Sequence, residues 1–366
     1  MNRVIGHIDL DYFYAQVEEV ADPSLKHKPV LVCVFSGRTE NSGVVSTANY
    51  RAREFGVHSG MPIVQAMKRL EGKNPAIIKM DHEKYEAVSA RVMESLERAV
   101  DTLEPAGIDE AFFDITHSTG GDYAIARKSA EAIKTSIFES ERLTCSVGLG
   151  RSKVVAKLGS DSAKPNGLKV VLPETTEDFL YPLQVNKLYG VGPKTSAMLA
   201  EMGIATVAEL AKAAPQELEK RFGRKFGAYL MDAASGKDDD PVVGGLEPTQ
   251  FSRIITLKRD TQDPLEVFEQ LAPGIEYVNS RLTTSSKSFK TVTAIGIFTD
   301  LTTKTKSRTF ETPMSNISAL EDETLGLFRD LSSSAGRDFR RAGVRVSGLA
   351  GDADQRSLSE FVREEG

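Results

Sequence analysis

Two cysteines and five histidines in 366 residues leave little room for soft-ligand chemistry. Cys33 and Cys145 each sit inside an apolar, strand-like run, the setting of a buried free thiol and not of a bridge or ligand. His7, His27, His58, His82 and His117 follow no ligand spacing, which argues against a structural zinc site and leaves oxygen as the expected donor for any metal. Apolar residues make up 40% of the chain, but no run approaches the roughly 20 residues a membrane span requires. Met1-Asn-Arg followed by a strand-like run carrying Asp9 fits no signal peptide, so a soluble, cytoplasmic chain with no membrane partner is expected. Positive charge is in deficit as well: 46 Lys and Arg face 52 Asp and Glu, a net −6. Nucleic-acid affinity, if present, must come from local basic surfaces, because it rests on cations that neutralise phosphates.

The length predicts several domains. Residues 4 to 10 read as a strand and Asp11 as the N-cap of a helix starting near Tyr12, with Phe13, Val17 and Val20 on one face. Strands are expected at 29–34 and from Gly43, then a helix from Ser46 or Thr47 to about Phe55. Residues 57–105 look mainly helical, 106–115 form an apolar strand interrupted by Asp109-Glu110, 122–139 a helix, and 143–149 and 168–171 strands. Residues 174–235 are almost wholly helical. Gly236 to Pro248 is polar and rich in turn formers, hence a linker. Beyond it, strands at 252–258, 289–298, 304–311 and 341–348 and helices at 265–282 and 317–331 give the βαββαβ order of a split ferredoxin-like unit, followed by a short tail.

Four stretches carry candidate chemistry: His7-Ile-Asp9-Leu-Asp11-Tyr-Phe-Tyr14, Thr47-Ala-Asn-Tyr50-Arg-Ala-Arg53, Ile108-Asp109-Glu110 and Ala163-Lys164-Pro-Asn-Gly167. Asp9 and Asp11 would share a strand face, but the turn redirects Asp11 to the helix cap and leaves Asp9 for metal. Turn chemistry alone would explain this pair in isolation. An Asp-Glu doublet inside an apolar strand changes that, since burying it without a cation costs several kcal/mol. Magnesium supplies such a cation. Thr47, Tyr50 and Arg53, spaced three apart, set two hydroxyls and a guanidinium along one helix face suited to a polyphosphate, although a solvated helix side would read the same. Lys164, extended before Pro165 and followed by an Asn-Gly turn, is placed to reach the same phosphates.

In this order the stretches resemble the Y-family translesion DNA polymerases, DNA polymerase IV class, particularly archaeal members, with similarity running from residue 3 to the tail. The resemblance implies an α+β right-hand polymerase: a ferredoxin-like palm at 1–10 and 79–171, fingers at 11–78, a helical thumb at 172–236, a linker at 237–249, a βαββαβ little finger at 250–348 and a tail at 349–366. It implies that catalytic Asp9 and Asp109 hold two Mg2+ ions, with catalytic Glu110 binding or orienting the metal near the primer 3′ hydroxyl and the Leu10 carbonyl as a further ligand. Backbone amides of Tyr12 and Phe13 at a helix N-terminus would bind the triphosphate with Thr47, Tyr50, Arg53 and Lys164. Tyr14 would exclude ribonucleotides, and small residues such as Gly43, Ser46 and Gly60 would leave space around the templating base. Gly107 departs from the serine many relatives carry there.

Gly190-Val-Gly192-Pro-Lys194 resembles a helix-hairpin-helix, whose amides grip phosphate without reading sequence. Lys304, Lys306 and Arg308 alternate along one strand, and Arg340, Arg341 and Arg345 enter another, so a DNA-backbone surface is expected there. Gln355, Leu358 and Phe361 resemble a sliding-clamp docking peptide, with Val362 departing from the usual second aromatic. The expected partners are primed template DNA, deoxynucleoside triphosphates and a sliding clamp, bound by a monomer. A palm-type nucleotidyl cyclase shares the metal chemistry but gives no reason for the hairpin, the basic strand or the tail. A catalytically silent DNA-damage scaffold gives no reason for Asp9, Asp109, Glu110 and Lys164 together.

Overall fold

The computed structural model describes residues 1–245 and 247–351. Contacts divide the chain into two compact units: Met1–Cys33, Val45–Met61 and Ala66–Leu246 form one, and Val34–Val44, Pro62–Gln65 and the chain from Glu247 form the other.

Up to the linker the order is β1 (Ile5–Leu10), α1 (Phe13–Ala21), β2 (Val30–Phe35), β3 (Gly43–Ala48), α2 (Tyr50–Arg53), α3 (Ile63–Arg69), β4 (Ala76–Lys79) and α4 (His82–Glu97). Next come β5 (Thr102–Pro105), β6 (Glu110–Asp114), α5 (Thr116–Thr119), α6 (Tyr123–Glu141), β7 (Cys145–Gly150), α7 (Lys153–Ser162) and β8 (Leu168–Val170). A five-stranded sheet has the order β5-β6-β1-β7-β8, and a three-stranded one the order β3-β2-β4. β1 is central and buried throughout, and its residues other than His7 and Asp9 are accordingly apolar or glycine. Its Ile8 and Leu10 join Val92 and Leu96 of α4 and Ile133 and Ile137 of α6 in one core. Ile5, His7 and Asp9 alternate to the other face, the one on which α7 lies.

α7 sits very close to the sheet. A Cβ at Gly148 of β7 would come within 2.0 Å of the Ala156 carbonyl and 2.3 Å of the Ser160 nitrogen, so only glycine permits this approach. Ser152 caps the helix through the Val155 amide, 3.3 Å away.

Three expectations are corrected here, and one helix is added to them. The span 57–105 is not mainly helical, because β4 pairs in parallel with β2 and β5 antiparallel with β6. The expected strand at 106–115 is a β5–β6 hairpin whose turn holds Gly107 and Asp109, so the second arm begins at Glu110. Thr47 belongs to β3 and not to a helix, which starts only at Tyr50 with Asn49 as its N-cap. α7 was not anticipated at all; its apolar Val154, Val155 and Leu158 are all buried.

The remaining elements of the first unit are helical: α8 (Thr176–Leu180), α9 (Pro193–Glu201), α10 (Val207–Ala211), α11 (Pro215–Phe222) and α12 (Arg224–Ala234) close around Leu199, Leu210, Leu218 and Leu230. In the second unit β9 (Gln250–Thr261), α13 (Pro264–Thr284), β10 (Lys287–Phe298), β11 (Thr303–Met314), α14 (Ile317–Ala335) and β12 (Phe339–Ser347) follow the expected βαββαβ order, with a short β13 (Ala350–Gly351). Its main sheet runs β11-β10-β12-β9, all antiparallel, with α13 and α14 packed on the face bearing Val292, Ala294, Val344 and Val346.

Candidate active site

Strand pairing brings the acidic residues together. Asp9 lies opposite Glu110 in the β1–β6 register, and the Leu10 amide donates to the Asp109 carbonyl at 2.8 Å. Asp9, Leu10 and Asp109 then line a cavity of about 250 Å³ at the end of β1. Burial pushes the Asp9 carboxyl up to about 6 against the pull of Lys164, whose Nζ lies 2.6 Å from Asp9 Oδ2. Burial and the neighbouring Glu110 charge raise Asp109 as well. Glu110 goes the other way, down to about 2, held by His7 and by Lys157, whose Nζ is 2.6 Å from Oε2.

Among the described residues, no three His, Cys, Asp or Glu side chains converge on one cation position, since Glu110 is turned onto Lys157 and His7. The cavity donors still suit a hard divalent cation. Two carboxylates that burial disfavours as bare anions gain from a cation beside them, and oxygen is the donor such ions prefer.

Other groups of the lining are complementary to phosphate. Thr47, Tyr50, Arg53 and Lys164 all reach the cavity, Thr47 from β3 and the next two from α2. The Tyr50 hydroxyl is buried and has no hydrogen-bond partner, the mark of a donor awaiting an acceptor. Arg53 lies 5.0 Å from the Tyr50 ring centroid, and its Nε donates to the Ala48 carbonyl at 2.9 Å. Tyr12 precedes α1 in the left-handed region, φ 35°, with no side-chain cap on the helix. Such strain in a non-glycine residue is retained at functional sites, and here it leaves the first amides of α1 uncapped beside the cavity.

Tyr14 also lines the cavity and stacks on Tyr85, centroids 4.4 Å apart, while Phe13 is buried in the core. Asp11 is not a helix cap. It is fully buried, accepting from Ser146 Oγ at 2.8 Å, Thr144 Oγ1 at 2.8 Å and the Asn166 amide at 2.9 Å. It therefore ties β7 to the turn after Lys164, and so fixes where that lysine stands. Sequence reasoning also passed over Lys157 and His7. A lysine at the centre of a Ser-capped amphipathic stretch was the available signal for the first; the second carries none beyond its place in β1.

Comparison with known proteins gives this site its family. The model of the impB/mucB/samB family matches residues 8–161, its C-terminal domain model 248–359, and a model described as the DNA polymerase-iota thumb domain 186–238. The DNA polymerase IV of Methanosarcina acetivorans is 43% identical, covering 99% of this chain and all of the relative. The chain belongs to the Y family of DNA polymerases, DinB type. DNA polymerase IV of Nitrosopumilus maritimus is 38% identical over 98% of this chain and 99% of that protein. Among solved structures, the Y-family chimera Dbh-Dpo4(243-245)-Dbh superposes with a TM-score of 0.90 at 34% identity, covering 95% of this chain and 100% of that one. An insertion ternary complex of Dbh DNA polymerase matches with a TM-score of 0.69, 34% identity and the same coverage. Y-family members depend on divalent metal.

The other expected sites of this Y-family chain are placed as follows. Gly190 adopts φ +80° in the hairpin before α9, Gly192 is the helix N-cap, and Lys194 is exposed in its first turn. Lys304, Lys306 and Arg308 share one face of the edge strand β11, as alternation predicted, and all are exposed. Register puts them opposite Gly296, Ala294 and Val292, on the helix-covered face, and Arg308 pairs with Glu323 of α14 at 3.0 Å. Arg341 and Arg345 are opposite Ile297 and Thr293, on the other face. The two basic groups thus lie on opposite faces of the sheet. Arg340 pairs at 3.1 Å with Asp260, which also receives Arg38, all three within the second unit. Gln355, Leu358 and Phe361 lie outside the described residues. No helix among the described residues is long and apolar enough to cross a membrane.

Proposed function

We propose that this chain copies primed template DNA, adding deoxynucleotides to a primer 3′ end with two Mg2+ ions, at low fidelity and without proofreading, in tolerance of DNA damage. The observation that carries the reading is the cavity itself: the carboxylates of buried Asp9 and half-buried Asp109 line it together with a Tyr50 hydroxyl that is buried without a partner. Asp9, Asp109, Glu110 and the Leu10 carbonyl would hold the ions. Metal bound there supplies charge neutralisation of the attacking and leaving oxygens of an in-line displacement.

The chain's own groups do the rest. Amides at Tyr12 and Phe13 and the side chains of Thr47, Tyr50, Arg53 and Lys164 bind the triphosphate. Lys164, paired with Asp9, exchanges that carboxylate for a phosphate oxygen. Tyr14 lies beneath the sugar, where its ring leaves no room for a 2′ hydroxyl. Ser46 and Ser59 keep the cavity wall small, which favours tolerance of altered bases. The regions proposed are palm 1–10 and 79–171, fingers 11–78, thumb 172–236, linker 237–249 and little finger 250–348. None of these regions is assigned to an exonuclease, in keeping with misinserted bases that persist. The hairpin at Gly190, Gly192 and Lys194 grips backbone phosphate, as do Lys304, Lys306, Arg308, Arg340 and Arg341; the tail docks a monomeric enzyme on a sliding clamp.

Extension of a labelled primer on a DNA template is the test. Synthesis should require Mg2+, stop with EDTA, and be abolished by Asp109→Ala or Glu110→Ala. Normal extension by either variant would sink the assignment.

A further inference from the structure

A row of lysines on α7 meets a row of carboxylates on the sheet. Lys153, Lys157 and Lys164 are four and seven residues apart, so they fall along one side of the helix and its C-terminal turn. Lys153 Nζ lies 2.6 Å from Glu104 of β5, Lys157 Nζ 2.6 Å from Glu110 of β6, and Lys164 Nζ 2.6 Å from Asp9 of β1. The glycine contact at Gly148 sets the height of the helix and hence the reach of all three.

Lys157 is the most constrained of them. Its ammonium is also 3.5 Å from His7 Nε2 and 6.0 Å from the centroid of the Tyr189 ring. His7 is fully buried, and Ser160 Oγ lies 2.7 Å from its Nδ1. Ser160 in turn donates to the Lys157 carbonyl at 2.8 Å. Imidazole and ring therefore flank the ammonium, with the imidazole itself held by the Ser160 hydroxyl, while Glu110 remains a quarter exposed. A pair kept only for stability would gain little at that exposure, given the rotamer freedom a lysine gives up.

We propose that Lys157 is a positioning residue for Glu110. It holds Oε2 on the α7 side, which leaves one carboxylate oxygen for the reacting centre, and it competes with a divalent cation for the oxygen it holds. The proposal rests on the polymerase reading of the same site. Without the ammonium, Glu110 is free to swing, and its charge is no longer offset beside Asp109. Catalysis should then suffer while cation binding by the free enzyme strengthens. A merely structural role predicts neither.

The test uses the full chain with Lys157→Met, Lys157→Gln and Lys157→Arg. In steady-state single-nucleotide insertion, Lys157→Met should lose about tenfold or more in kcat with the KM for deoxynucleotide within about twofold, and Lys157→Arg should recover most of the loss. Mn2+ titration of the free enzyme, read by electron paramagnetic resonance without DNA or nucleotide, should show Lys157→Met binding roughly threefold more tightly or better, because a competing cation has gone. If the methionine variant does not fold by circular dichroism, Lys157→Gln carries the same two expectations. Wild-type kcat in a folded variant, or Mn2+ affinity unchanged or weaker, overturns the proposal. A parent enzyme that extends no primer would sink the polymerase reading, and the Mn2+ comparison would then decide the positioning role alone.

Discussion

The rings of Tyr14 and Tyr85 lie stacked, their centroids 4.4 Å apart and their planes 18° from parallel. Tyr85 is fully buried, and its hydroxyl donates to Glu18 Oε1 at 2.7 Å, while Lys84 holds the other oxygen of Glu18 at 2.8 Å. A residue of α4 thus backs the ring that α1 presents to the cavity, so the position of Tyr14 is set by packing as well as by its own helix.

Sugar selection should follow from that backing. Tyr14→Ala should raise ribonucleotide over deoxynucleotide insertion by about a hundredfold or more, and Tyr85→Leu by roughly tenfold, because the supported ring then has room to tilt. Single-nucleotide insertion with matched ribo- and deoxynucleotides measures both ratios. An unchanged preference in Tyr14→Ala would remove that residue from its role, and an unchanged one in Tyr85→Leu would mean that α1 positions the ring alone.

Asp11 should matter for stability more than its neighbour Asp9 does. Its two oxygens accept three hydrogen bonds at full burial, and one donor, the Asn166 amide, is 155 residues away. Asp11→Ala leaves Ser146, Thr144 and that amide without their acceptor, at a cost of about 3 kcal/mol in unfolding free energy. Urea denaturation compares it with Asp9→Ala, which removes a carboxylate that burial already disfavours and should cost far less. Equal losses would mean that Asp11 does not tie the Lys164 turn to the sheet.

The reading of Asp11 also marks where sequence and fold part company. Local rules made it a helix cap, since Asp before an apolar-periodic stretch usually is one, but its donors lie on β7 and in a distant turn that no local pattern announces. Asp9, Asp109 and Lys164 could be grouped because their chemistry is rare in apolar surroundings, whatever the topology. Thr47 reached the expected wall from a strand, because cavity position depends on where the chain passes and not on the element that carries it. β4 and β5, four residues each, were lost among helical neighbours; short strands whose pairing partners are remote leave little period to read. The βαββαβ unit was legible throughout because each of its elements is long and keeps a single period.

Acid should weaken the second unit through Asp260. Hydrogen bonds from Arg38 and Arg340 hold its carboxyl down to about 2. A depressed folded-state value means that the ionised form is favoured in the native state; the stabilisation is complete above the ordinary value of 3.8 and is lost as pH falls from there toward about 2. Allowing for solvent screening of a partly exposed group, Asp260→Asn should cost about 1 kcal/mol near neutral pH. The difference between parent and variant should shrink toward zero at the acid end of that window and in raised salt. Denaturant melts across the acid range measure it, and a penalty independent of pH would mean that the two arginines do not act on the carboxylate's charge.

Tethering is expected to supply what the net charge does not. In a chain of net −6 the 46 Lys and Arg that could displace counterions from DNA are outnumbered by 52 Asp and Glu, and several of them, Arg308 and Arg340 among them, already face carboxylates. Holding such an enzyme on the duplex through a second attachment raises its local concentration into the millimolar range without any new contact to DNA. If Gln355, Leu358 and Phe361 make that attachment, deleting residues 352–366 should leave basal primer extension within about twofold while abolishing stimulation by a sliding clamp. Lowering the salt should narrow the gap between the full chain with clamp and the truncated one, because the backbone contacts then suffice by themselves. Equal stimulation of both forms would assign the clamp contact to another part of the chain.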